Sequence, residues 1–91
     1  MKFNLISYKG LLPKIGKDVV GYSTSTAIGN TVLGPKCILK DRVVLRGDGA
    51  EIIVGKEVTF LDRSTVHVAS DLMGSYIGDG SIIGRFSLVH A

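Results

Sequence analysis

Tryptophan is absent from this 91-residue chain, histidine occurs twice and cysteine once, at Cys37. A single thiol excludes an internal disulfide framework and is ordinary in a reducing compartment. The uninterrupted apolar runs fall far short of the roughly 20 residues a membrane-spanning helix needs. The first seventeen residues carry Lys2, Lys9, Lys14 and Lys17 and no acid. They nevertheless lack the arginines of a transit peptide and the apolar block of a signal peptide, so no targeting segment is read there. Net charge is only +3, with no dense Lys/Arg cluster. That argues against a nucleic-acid partner while permitting an acidic partner or an anionic membrane.

What the chain does have is Val, Ile, Leu and glycine in a regular order. Leu33, Leu39 and Leu45 are six residues apart, as are Val54, Phe60 and Val66, and Ile77, Ile83 and Val89. Smaller residues follow four positions later, at Cys37, Val43, Val58, Ser64, Ser81 and Ser87, while Gly34, Gly55, Gly78 and Gly84 directly follow an apolar residue. Strands of a β-sandwich alternate with period two; a period of six with matched glycines instead predicts a solenoid of three-sided coils. The expected fold is all-β, a short left-handed parallel β-helix of hexapeptide repeats with roughly three to four coils. Residues 1–14 read as a lead-in segment, an extended arm. Residues 15–91 read as the β-helix domain, apparently truncated at its C-terminal end. Ile15-Gly16 and Ile28-Gly29 suggest an earlier, less regular coil.

Two interruptions fit this scheme. Leu33 to Val54 is three residues longer than one coil and Val54 to Ile77 five longer. Both extras fall after the third face, around Asp48-Gly49-Ala50 and Ser70-Asp71-Leu72-Met73-Gly74, so both loops leave from one corner. A chain this small buries only about 60–65% of its unfolded surface, which predicts a core completed against a neighbour.

Aligning the coils stacks equivalent residues about one strand spacing, ~4.8 Å, apart. One column then reads Arg46, His67, His90 and another Asp41, Asp62, Arg85. Two imidazoles so placed suit a single zinc ion, whose ligand nitrogens lie roughly 3.3 Å apart in a tetrahedral shell. At least one more protein ligand is required, and with no further histidine it would have to come from another chain. Asp62 and Arg85 are positioned for an ion pair between adjacent coils, a surface interaction worth under about 1 kcal/mol.

The segments Val44-Leu45-Arg46-Gly47-Asp48, Leu61-Asp62-Arg63-Ser64-Thr65-Val66-His67-Val68, Ile77-Gly78-Asp79 and Ile83-Gly84-Arg85-Phe86-Ser87-Leu88-Val89-His90 together resemble the γ-class carbonic anhydrases. The resemblance runs from about Ile28 to the end. It implies a trimer of β-helices whose zinc is held by two histidines of one subunit and one of its neighbour. It places His67 and His90 as the pair from one subunit, Arg46 and Asp48 in the subunit-contact and active-site network, and Asp62 in the supporting acidic position. Two departures stand out. The family's Ile-Gly-His, donor of the neighbour's ligand, is Ile83-Gly84-Arg85 here, and a guanidinium does not deprotonate to bind a metal. The family's Asn-Ile-Gln-Asp is Thr59-Phe60-Leu61-Asp62, which removes the amides that orient substrate or water.

The resemblance therefore implies a degenerate carbonic anhydrase, a structural and non-catalytic subunit of a γ-carbonic-anhydrase-like heterotrimer. Its partners would be homologous subunits, in a setting such as the carbonic-anhydrase-like module of the membrane-bound mitochondrial respiratory complex I. That location means the matrix side in a eukaryote; otherwise the expectation is cytoplasmic. Two alternatives stand beside it. One is a zinc-dependent carbonic anhydrase subunit that completes its site with a histidine from another chain; without that histidine no cofactor is expected. The other is a hexapeptide-repeat acyltransferase, for which the loop after Ser70 is short.

Overall fold

The computed structural model describes residues 3–68 and 73–90. Every strand pairing between named strands is parallel, and each strand stacks on its equivalent one coil away. The first face carries β2 (Lys14–Ile15), the end of β4 (Thr26–Leu33), the end of β6 (Val44–Val54) and β9 (Ser75–Ile77). The second carries β3 (Val20–Gly21), β5 (Ile38–Leu39), β7 (Thr59–Phe60) and β10 (Ile82–Ile83). The third carries β1 (Asn4–Ile6), the start of β4, the start of β6, β8 (Thr65–His67) and β11 (Leu88–His90). The result is a parallel β-helix. Among the described residues there is no helix, and hence none long and apolar enough to cross a membrane.

The hexad register is the one the sequence predicts. Leu33 pairs with Val54 and Val54 with Ile77; Leu39 pairs with Phe60, and Phe60 with Ile83. On the third face Leu45 pairs with Val66 and Val66 with Val89. Leu33, Leu39, Leu45, Val54, Phe60 and Val66 are buried, together with Cys37, Val43, Val58 and Ser64 at the tight positions. Residues of the last coil, Ile77, Ile83 and Val89, pack against this core but are only partly covered.

The upstream coil is more regular than its composition suggests. Ile15, Gly21, Ala27 and Leu33 keep the spacing of six and each pairs with its counterpart above. The repeat is masked because two inward positions hold glycine and alanine. The void at Gly21 is filled by Phe3, whose ring would lie 2.5 Å from a Cβ there. The lead-in segment contributes an extended strand to the sheet: β1 pairs with β4 in register, Leu5 against Ala27.

Two of the three corners turn through a positive-φ residue on coil after coil, and most of these are not glycine. Asp18, Lys36, Glu57 and Gly80 occupy one corner, Arg42, Arg63 and Phe86 the next. A left-handed conformation costs roughly 1–2 kcal/mol for a residue with a Cβ. The corner amides recover part of this by donating to the coil beneath, as from Lys36 N to Lys17 O at 2.9 Å and from Arg63 N to Asp41 O at 2.7 Å. Gly34 and Gly55 are glycines for a different reason. A Cβ on Gly34 would sit 2.4 Å from the Gly55 carbonyl oxygen, so coils could not stack at that point.

The third corner accommodates the extra residues. Between Gly29 and Thr31 the register to β6 shifts, so that four residues after Gly47 face the single Asn30. The first extra thus falls where the sequence puts it. Of the second, Ser70, Asp71 and Leu72 lie outside the described residues, as does Ala91, where the truncation is read.

Phe60 is the largest fully buried side chain. Phe60→Ala should cost about 3–5 kcal/mol, combining lost transfer energy with a cavity that stacked backbones cannot close; urea unfolding measures this. Burial also pushes the Cys37 thiol above its ordinary value of 9.0, with the Val58 and Glu57 amides opposing and Asp79 adding to the rise. The folded chain then holds this proton more tightly than the unfolded one. Its contribution is fully present below about pH 9 and is lost as pH climbs through the folded value. Cys37→Ala should lose less stability than the parent between pH 8 and pH 10.5.

Candidate metal and subunit-contact site

The third face builds the candidate site. Arg46 pairs with His67 and His67 with His90, so all three stand in one column, continued below by Ile28 and Ile6. They project outward because Leu45, Val66 and Val89 immediately before them point in and a strand alternates sides. The imidazole centroids of His67 and His90 are 5.2 Å apart, with the rings tilted by 51°. His67 is half-buried and His90 exposed.

At the foot of the column the Arg46 guanidinium donates to Asp48 Oδ2 at 3.0 Å. The side chains are 45% and 24% exposed, so the pair orients Arg46 more than it stabilises the fold. Asp48 is the first of the extra third-corner residues, which explains how its carboxylate bends back beside residue 46.

The expected pair of Asp62 with Arg85 does not form. Among the described residues the Arg46–Asp48 contact is the one ion pair. Asp62 Oδ1 instead accepts from the Asp41 backbone N–H at 3.1 Å, on the coil below, whereas Arg85 sits on the coil above. Asp41 continues downward, its Oδ1 accepting from Thr24 Oγ1 at 2.6 Å. The carboxylates at this corner thus brace the coils to one another, a role that single-residue spacing does not reveal. Arg85 remains exposed. Thr59 lies on β7 facing outward beside buried Phe60, and Leu61 follows it half-buried.

The donor set does not fit a metal on this chain alone. Two imidazoles supply two of the three or more protein ligands that zinc requires. No group of three or more His, Cys, Asp or Glu side chains converges among the described residues. Cys37 is buried inside the core, where its Sγ donates to the Gly55 carbonyl oxygen.

Comparison with known proteins agrees with the fold. A γ-carbonic anhydrase of Arabidopsis thaliana mitochondria is 30% identical over 83 residues, 86% of this chain and 30% of that protein. The chain is γ-carbonic-anhydrase-like, a member of the hexapeptide-repeat group. A carbonic anhydrase of Geobacillus kaustophilus is 29% identical over 84 residues, covering 92% of this chain and 46% of the other. An uncharacterised Dictyostelium discoideum protein is 34% identical over 83 residues, 87% of this chain and 34% of its own length. The chain therefore spans only about a third to a half of these relatives. No family model matches it. Among solved structures, a hexapeptide transferase family protein from Anaplasma phagocytophilum superposes with a TM-score of 0.90 at 27% identity, covering all of this chain and 52% of that one.

With only two ligands per chain, zinc titrated into the isolated protein should bind weakly, with Kd above about 1 μM, and shift the His67 and His90 NMR signals together. His67→Ala and His90→Ala should each abolish the response. A zinc response of the parent's size in either variant would contradict a site built on this column.

Proposed function

We propose that this chain is a structural, non-catalytic subunit of a γ-carbonic-anhydrase-like trimer assembled with homologous chains. The observation that carries this reading is the residue at position 85. His67 and His90 are stacked and outward-facing, so a metal there would need its third ligand from a neighbouring chain. Arg85 occupies the position from which the resemblance expects a histidine to reach a neighbour, and its fixed charge would repel a cation there. A homotrimer would then repeat the same deficiency at every interface. Leu61 adds to this, since its side chain offers no hydrogen bond to a substrate or a water.

The mitochondrial relative supports a mitochondrial setting. On this reading the chain lies on the matrix side, where the carbonic-anhydrase-like module of respiratory complex I suits a subunit kept for assembly; outside a eukaryote it lies in the cytoplasm. The second reading is a mixed trimer in which His67 and His90 join a histidine from a neighbouring chain and restore one carbonic anhydrase site. The retained ring-to-ring contact of the two imidazoles favours it. An acyltransferase role rests on the transferase-family neighbour alone. The described loops add no feature that points to an acyl carrier.

Purification of the native assembly through a tag on this chain decides among these. The structural reading expects co-purifying homologous chains and no zinc whose loss follows His67→Ala. Zinc that disappears with His67→Ala or His90→Ala, together with carbon dioxide hydration, would establish the mixed-site enzyme instead. A stable monodisperse monomer that associates with no homologue would contradict both.

A further inference from the structure

Outside the histidine column, the strongest unassigned feature is the hairpin that joins β1 to β2. Tyr8 and Leu11 form an antiparallel bridge, each N–H donating to the other's carbonyl at 2.9 and 3.0 Å. Lys9 and Gly10 between them have φ of 50° and 78°, the signature of a type I′ turn, which is tight and well ordered. Tyr8 rests over Gly29, where a Cβ would come within 3.1 Å of the Tyr8 Cβ, so the hairpin is seated on the third corner.

Its outward surface is apolar and basic together. Leu11 and Leu12 are 51% and 56% exposed, adjacent in sequence, and Ile6 and Tyr8 beside them are also exposed. Such leucines are not repeat positions, and no core residue is missing that they would supply. Lys9, Lys14 and Lys17 are all exposed, and the Lys9 ammonium lies 5.5 Å from the Tyr8 ring centroid. No acidic residue precedes Asp18. The carboxylates at the same corner one coil up are already engaged, Asp48 by Arg46 and Glu51 by the Tyr76 hydroxyl.

We infer that this hairpin is a docking element for an anionic phospholipid surface, with Leu11 and Leu12 entering the headgroup–acyl boundary and the lysines meeting lipid phosphates. Paired apolar side chains flanked by cations are the chemistry such a surface selects, since each component alone binds only marginally. A neutral protein groove would satisfy the leucines but leave the lysines unmatched, and an acidic one is separated from lipid by the vesicle test below. The inference rests on the hairpin and is independent of the trimer reading and of the metal site.

Vesicle co-sedimentation of the full chain tests it, using phosphatidylcholine alone and phosphatidylcholine with about a third phosphatidylserine. Binding is expected only to the anionic vesicles. It should fall about fivefold for Lys9→Gln, the loss of one lysine near the surface, and by more than tenfold for Leu11→Ser/Leu12→Ser. Circular dichroism and the His67 NMR signal should be unchanged in both variants. Absence of binding to anionic vesicles by the folded protein overturns the inference, as does binding that neither variant weakens. A change of oligomeric state in Leu11→Ser/Leu12→Ser without any effect on lipid binding would assign the leucines to a protein interface and also overturn it.

Discussion

The in-register hydrogen bonding of one coil to the next is the interaction on which everything else in this molecule depends. Most strands are too short to be stable as part of an isolated pair, and several contain only two residues. Stacking turns these fragments into continuous parallel ladders and simultaneously piles the inward side chains into apolar columns. The same ladders fix the outward columns, since a slip of one residue would exchange inside for outside along a whole face. Arg46, His67 and His90 therefore share a ridge for the same reason that Leu45, Val66 and Val89 share a core.

Much of this was legible in the chain. Large apolar residues six apart gave the faces, and the excess lengths between coils gave the third corner as the place where extra residues leave. The first coil was obscured because Gly21 and Ala27 carry little apolar signal, and only Phe3, eighteen residues from Gly21, makes the glycine there intelligible. The lead-in strand β1 was similarly hidden, as Leu5 stands alone without a hexad. Corner residues such as Lys36, Arg42 and Arg63 adopt positive φ without the glycine that normally advertises it. Their conformation is imposed by the ladder above and below, which no local reading contains.

The site shows the same division. Spacing placed both histidines in one column, which the paired strands realise. It also paired Asp62 with Arg85, and there it failed, because column membership does not decide which neighbour a carboxylate faces. Asp62 turns to a backbone N–H on the coil below, a partner that every sequence offers and that spacing does not distinguish. What the corner lost as an ion pair it gained as a brace, leaving Arg85 with its charge uncommitted. On the proposed reading, with an arginine and a leucine where the resemblance expects a histidine ligand and an amide, this γ-carbonic-anhydrase-like scaffold keeps its architecture more faithfully than its chemistry.

The register itself is the point at which the account is most directly exposed. A NOESY spectrum of the isotope-labelled protein measures it without reference to any function. Cross-peaks between the ring protons of His67 and His90, together with methyl contacts running from Leu45 through Val66 to Val89, are the predicted result. A ladder displaced by one residue, with His67 meeting Val89 in place of His90, would contradict the stacked column and the reading of the site built upon it.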